Sequence, residues 1–112
     1  MPLIKVLTSL PEVAASQELL NKLSDELSNL SGKPKAYVMT LLQTDVKMTF
    51  AQSNEPSCFV EVKSIGSLRP DLMTESFCKI ISDFTKIPTN RIYIEFEDIK
   101  ASYWGFDGKT FG

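Results

Sequence analysis

Residues 19–42 read LLNKLSDELSNLSGKPKAYVMTLL, and residues 73–96 read MTESFCKIISDFTKIPTNRIYIEF. Laid over one another at an offset of 54, the two stretches keep one apolar register. Leu23 falls on Phe77, Leu27 on Ile81, Leu30 on Phe84, Val38 on Ile92 and Leu42 on Phe96. Pro34 falls on Pro88; further back, Val6 falls on Val60 and Pro2 on Pro56, with no gap. Apolar residues often coincide by chance, so the proline pairs carry most of the weight.

Within each copy the spacing changes from helical to extended. From Ser16 to Ser31, Leu19, Leu20, Leu23, Leu27 and Leu30 recur at helical intervals, and Gly32 supplies a stop. Pro2 to Thr8 before it and Tyr37 to Thr44 after it read as strands, with a shorter extended piece at Met48 to Phe50. In the second copy Cys58 to Ile65 reads as a strand, and Pro70 suits the first turn of a helix. That helix carries Met73, Phe77, Ile80, Ile81 and Phe84 and ends at Ile87-Pro88, before a strand from Arg91 to Ile99. The expected fold is α+β, a duplicated βαβ unit in a single domain of residues 1–112, with pseudo-repeats of about 1–54 and 55–112. Right-handed crossovers make each unit's strands parallel within a four-stranded mixed sheet, with both helices on one face and short extra strands in the tail.

That arrangement leaves one sheet face without a cover. Val6, Val60, Val38, Ile92, Leu42 and Phe96 fall on the helix side. Alternation then puts Leu3, Leu7, Tyr37, Met39, Leu41, Phe59 and Tyr93 on the other, together with Lys5, Glu61, Lys63, Glu95 and Glu97. A face of this composition is either buried against other subunits or half-wetted in a monomer.

Composition excludes several classes of function. The formal net charge is −2, and no Lys/Arg-rich run is present, against nucleic acid or an anionic membrane as main partner. No apolar run is long enough to span a bilayer and no signal-peptide core follows Met1. The chain is therefore expected in the cytoplasm, or exported by a non-classical route. Histidine is absent, which removes Ser-His-Asp and Cys-His catalysis and histidine-containing zinc sites. Cys58 and Cys78 have no C-x-x-C spacing and read as small hydrophobes. Catalysis here has to rest on carboxylate, lysine, tyrosine or the chain's own amine.

The candidate groups are few, and each has an ordinary role beside a chemical one. Pro2 either starts an edge strand or, with Met1 removed, offers a secondary amine. An α-amino group titrates near neutrality, and burial lowers it towards the range where base catalysis works best. Lys33 follows the helix stop, where it is either a solvated cation at a helix C-terminus or an anion ligand. Tyr93 and Glu95 share a strand face, where residues of this kind pair across strands. Tyr103, Trp104, Phe106 and Phe111 place four aromatics in nine positions, enough to plug a core or to wall a pocket.

Taken together, Met1-Pro2, Gly32-Lys33-Pro34, Tyr37-Val38-Met39, Ser64-Ile65-Gly66, Arg91-Ile92-Tyr93-Ile94 and the closing Trp104-Gly105-Phe106-Asp107-Gly108-Lys109-Thr110-Phe111 resemble the macrophage migration inhibitory factor family of the tautomerase superfamily, which includes D-dopachrome tautomerase. The resemblance covers the whole length. It implies a homotrimer with pockets between subunits and keto–enol tautomerisation of phenylpyruvate-like or dopachrome-like acids. It also implies the amino-terminal proline as base, with neither cofactor nor metal. Pro2 is then the catalytic residue. Lys33 holds the substrate carboxylate with help from the Ser64-Ile65 turn through the Ile65 N–H. Tyr93 enters the pocket of a neighbouring subunit, with Glu95 beside it, and Tyr37, Trp104 and Phe106 wall the pocket. The alternative from another class is a cytokine-like signalling or host-mimicry protein whose tautomerase activity is incidental, with a receptor that the resemblance does not name.

Three positions depart from the family's pattern. Glu95 stands where its best-known members have asparagine, and a carboxylate there favours protonated Pro2, opposing Lys33. Phe106 replaces the tryptophan of a glycine-tryptophan pair, while Trp104 comes two residues earlier. Glu61 occupies the place of the second cysteine of the family's thiol-oxidoreductase motif, so that activity is not expected.

Overall fold

The computed structural model describes residues 1–112. The strand β1 (Leu3–Thr8) leads into the helix α1 (Ser16–Ser31) and the strand β2 (Met39–Gln43). The second copy follows as β3 (Cys58–Ser64), α2 (Pro70–Thr85) and β4 (Ile92–Asp98), and the tail forms a small hairpin, β5 (Gly105–Phe106) with β6 (Lys109–Thr110). The sheet order is β2-β1-β3-β4. Each unit's own strands are parallel, and β1 and β3 join the units in an antiparallel pair at the centre. The mixed α+β fold expected from the repeat is the one formed.

Alternation decides the two faces. Ile4, Val6 and Thr8 of β1 and Cys58, Val60, Val62 and Ser64 of β3 are buried beneath the helices. The apolar ones among them meet Leu19, Leu23 and Leu27 of α1 and Met73, Phe77, Ile80 and Ile81 of α2 in one core. At about 25 cal/mol per Å2 of apolar surface, burial of these side chains is the main stabilising term. The opposite face stays open: Met39, Leu41 and Tyr93 are exposed, and Lys63 lies between Glu61 and Glu97 at 3.9 and 3.7 Å. No helix is long and apolar enough to cross a membrane.

The ends of α1 and the start of α2 follow the expected chemistry; α2 stops at Thr85, short of Ile87-Pro88, and the strands β2 and β4 start late. Pro70 opens α2, and Gly32 closes α1 in the left-handed region, its N–H donating to the Ser28 carbonyl. Tyr37 and Arg91, read from sequence as the first residues of their strands, instead close single 3-10 turns, Lys35–Tyr37 and Thr89–Arg91. Each turn follows a proline of the repeat. Pro34 and Pro88 fix the backbone extended, and their carbonyls accept from the N–H of Tyr37 and Arg91 at 3.0 and 2.9 Å. The extended piece expected at Met48 to Phe50 is no strand either. Phe50 pairs only with Ser53, across a tight turn.

Candidate active site

The N-terminus ends in a pocket of about 220 Å3. Pro2 is buried at its floor, and the Pro2 carbonyl accepts the Met39 N–H at 3.1 Å, which ties the residue to the start of β2. Aromatic rings make the wall. Tyr37 meets Phe106 edge-on at 5.7 Å and Phe111 at 6.4 Å, while Phe106 and Phe111 stack at 5.9 Å with ring planes 5° apart. The tail is held in place by the Phe111 N–H donating to the Trp104 carbonyl at 3.0 Å. Trp104, Phe106 and Tyr37 therefore converge on Pro2, as does Phe111, which sequence reasoning noticed in the aromatic tail but did not assign to the site. Met39 was likewise left out; it lines the pocket because the 3-10 turn swings the start of β2 over Pro2.

Lys33 lies beside this pocket rather than in its wall. Its place is fixed by the end of α1: its carbonyl accepts from the Ser28 hydroxyl at 2.6 Å and its N–H donates to the Ser31 hydroxyl at 3.2 Å. The charge reaches the N-terminus. Burial holds the amino group of Met1 below its ordinary value, and the Lys33 ammonium pushes it further the same way.

Ser64 and Ile65 do not line the pocket either; they lie on the strand next to Pro2 and just past its end. Continuing the β1–β3 register from Leu3 and Lys63 by one residue sets Ser64 opposite Pro2. The Ser64 hydroxyl is fully buried and has no hydrogen-bond partner, in contrast to most buried polar atoms. The N–H of Ile65, just past the strand end, has no acceptor within the chain. The turn that carries it is held where the Gly66 N–H donates to Asp98 Oδ1 at 2.9 Å.

Tyr93 and Glu95 do not join this group within one chain. Tyr93 stands beside Phe59, which faces Leu7, at the far end of the sheet from Pro2. Five residues along a strand span about 16 Å, and two strand spacings add about 10 Å across. Both residues are exposed on the open face, with Glu95 in a row with Glu61 and Lys5. The thiols of Cys58 and Cys78 are buried, and burial pushes both upward in pKa, the opposite of a reactive cysteine.

Comparison with known proteins agrees over the whole chain. The family model described as Macrophage migration inhibitory factor (MIF) matches residues 1–112. The macrophage migration inhibitory factor homolog of Brugia malayi is 37% identical over 115 residues, covering 100% of both chains. The factor of Mus musculus is 30% identical over 114 residues, covering 99% of both. The crystal structure of a homologue from Prochlorococcus marinus superposes with a TM-score of 0.95 at 49% identity, covering 98% of this chain and 99% of that one. With its paired βαβ units and its proline-floored aromatic pocket, the chain belongs to the macrophage migration inhibitory factor family, whose members include tautomerases and cytokine-like proteins.

Proposed function

We propose that the protein is a cofactor-independent keto–enol tautomerase acting on small aromatic 2-keto acids of the phenylpyruvate type. The observation that carries this reading is the placement of Pro2, buried on the floor of an aromatic pocket with the Lys33 charge within electrostatic reach. Removal of Met1 turns the Pro2 nitrogen from an amide into a secondary amine. The burial and the lysine that depress the Met1 amine then act on the proline amine, leaving it neutral and basic near neutral pH.

In the proposed reaction the Pro2 amine takes a proton from the carbon next to the substrate carbonyl. The electron pair of that C–H bond becomes the enol double bond, and the carbonyl π pair moves onto oxygen. The prolinium then returns its proton to that oxygen, so atoms and charge balance with no other reagent. Lys33 and the unpaired Ile65 N–H receive the substrate carboxylate, and Tyr37, Trp104 and Phe106 hold the aromatic ring.

The reading includes a homotrimer, in which Tyr93 and Glu95 reach the Pro2 pocket of the next subunit. The span between Pro2 and Tyr93 within one chain supports it, as do the exposed Met39 and Leu41 on edge strand β2. Intact mass and phenylpyruvate enolisation kinetics test the proposal. Met1 is expected to be absent, and Pro2→Ala, which exchanges the ring-held secondary amine for a freely rotating primary one, is expected to lower kcat/KM about 100-fold, on the scale of a disabled general base. Full activity in that variant, or in a chain that retains Met1, overturns it.

A further inference from the structure

The Pro2 pocket has a counterpart 54 residues on. There Pro56 answers to Pro2 and Tyr93 to Met39, and the wall comes from Phe50 where Trp104 closes the first pocket. This second recess, of about 540 Å3, is lined by Phe50, Cys58, Phe59 and Tyr93 among others, and not by Pro56, which is exposed where Pro2 is buried. It lacks the chemistry of the first. Pro56 is mid-chain and has an amide nitrogen, the counterpart of Lys33 is the buried Ile87, and the counterpart of Tyr37 is Arg91.

Arg91 makes the most hydrogen bonds of any side chain in the molecule. Its Nε donates to the Pro56 carbonyl at 3.0 Å and its Nη1 to the Phe50 carbonyl at 3.2 Å. Its Nη2 donates to the carbonyls of Ser53 at 3.4 Å and Glu55 at 2.8 Å. The guanidinium carbon also sits 5.3 Å from the centre of the Phe50 ring. All four acceptors belong to residues 50–56, so one side chain gathers the whole loop.

That loop needs gathering. Phe50 and Ser53 exchange backbone hydrogen bonds at 2.9 and 3.0 Å, and the residues between them, Ala51 and Gln52, have φ of 52° and 60°. Turns of this hand favour glycine or asparagine, and alanine and glutamine hold it only under constraint. The outcome is the placement of one ring. Phe50 lies 4.6 Å from the ring of Tyr93, which remains 65% exposed and meets no other aromatic ring.

We propose that Arg91 is a positioning residue that fixes the ring of Tyr93 through the clamped Phe50 turn, so that Tyr93 is presented to the pocket in one orientation. The inference rests on the reading that Tyr93 belongs to a tautomerase pocket. Lysine at this position keeps the charge but is a single point donor, and cannot span four carbonyls as the guanidinium fork does.

The test uses the full chain labelled with 3-fluorotyrosine. The three tyrosines give three 19F signals, and Tyr93 is assigned with Tyr93→Phe. In Arg91→Lys the Tyr93 signal is expected to shift and broaden while those of Tyr37 and Tyr103 stay in place. KM for phenylpyruvate rises about ten-fold, kcat stays within about two-fold, and the midpoint of the pH–rate profile does not move, because the misplacement touches binding and not the base. Phe50→Leu keeps all four clamp acceptors and removes only the ring, and it should reproduce both changes in a stably folded protein. An unmoved Tyr93 signal in both variants overturns the inference. An inactive unmodified protein instead defeats the tautomerase reading and leaves the clamp to be decided by the 19F signals alone.

Discussion

The two βαβ units share backbone geometry down to the turns and differ in what stands on it. Both helices stop at a left-handed residue whose N–H donates to a serine carbonyl one turn back, Gly32 to Ser28 at 2.9 Å and Lys86 to Ser82 at 2.8 Å. Both then pass through a proline and a single 3-10 turn into a parallel strand. In the first unit the residues around that path are Lys33 and Tyr37, and they face a chain terminus. In the second they are Ile87 and Arg91, and they face a loop. Duplication thus produces two matching corners, and in the proposed function only the one at Pro2 offers an amine. The other is free to become architecture.

The largest expected effects are in the core, and there the two units should behave alike. Phe77 of α2 and Leu23 of α1 occupy matching sites and both are fully buried. Phe77→Ala should cost about 3–5 kcal/mol and Leu23→Ala about 2–5 kcal/mol, read from denaturant unfolding. Equal, small losses would mean that the helix faces do not share one core. The catalytic difference comes next. Pro56→Ala should leave kcat/KM within about two-fold in the assay where Pro2→Ala loses about 100-fold. Comparable losses in the two variants would deny the first corner its special role.

Lys33→Gln probes the electrostatic half of that role. Lys33 lowers the pKa of the terminal amine, so its removal raises that pKa and the neutral, active form then needs a higher pH. The pH–rate midpoint should move up, and KM should rise about ten-fold through loss of the carboxylate partner. A midpoint that falls or stays put contradicts the assignment. The smallest effect is at the helix stops. Lys86 has φ of 64° where the first unit has glycine, so Lys86→Gly should stabilise by less than about 1 kcal/mol. Gly32→Ala, at φ of 73°, should destabilise by about 1 kcal/mol.

Much of the fold was legible because periodicity is local. The leucines of α1 mark a helix from Ser16 to Ser31 with both ends right, and alternation along β1 and β3 separates the covered face from the open one. Tyr37 and Arg91 were misplaced for a local reason too. An apolar run after proline looks extended, and a single 3-10 turn leaves no periodic trace. Of the candidate site, the aromatic tail announced itself by density, but Phe111 and Met39 gave no separate signal. Their part depends on where the tail and β2 come to rest.

The sequence by itself determined the duplicated unit, the two helices, the strand faces and the family pattern, because each is written in spacing along one chain. Only the tertiary structure decided the rest. The antiparallel β1–β3 pair brings Ser64 opposite Pro2, and the sheet order carries Tyr93 far from it. The fold also turns Arg91, which the sequence marks only as the start of a strand and part of a motif, into the clamp of the Phe50 turn. Those are relations between residues 35 to 91 positions apart, set by how the strands pair and pack, which no local spacing encodes.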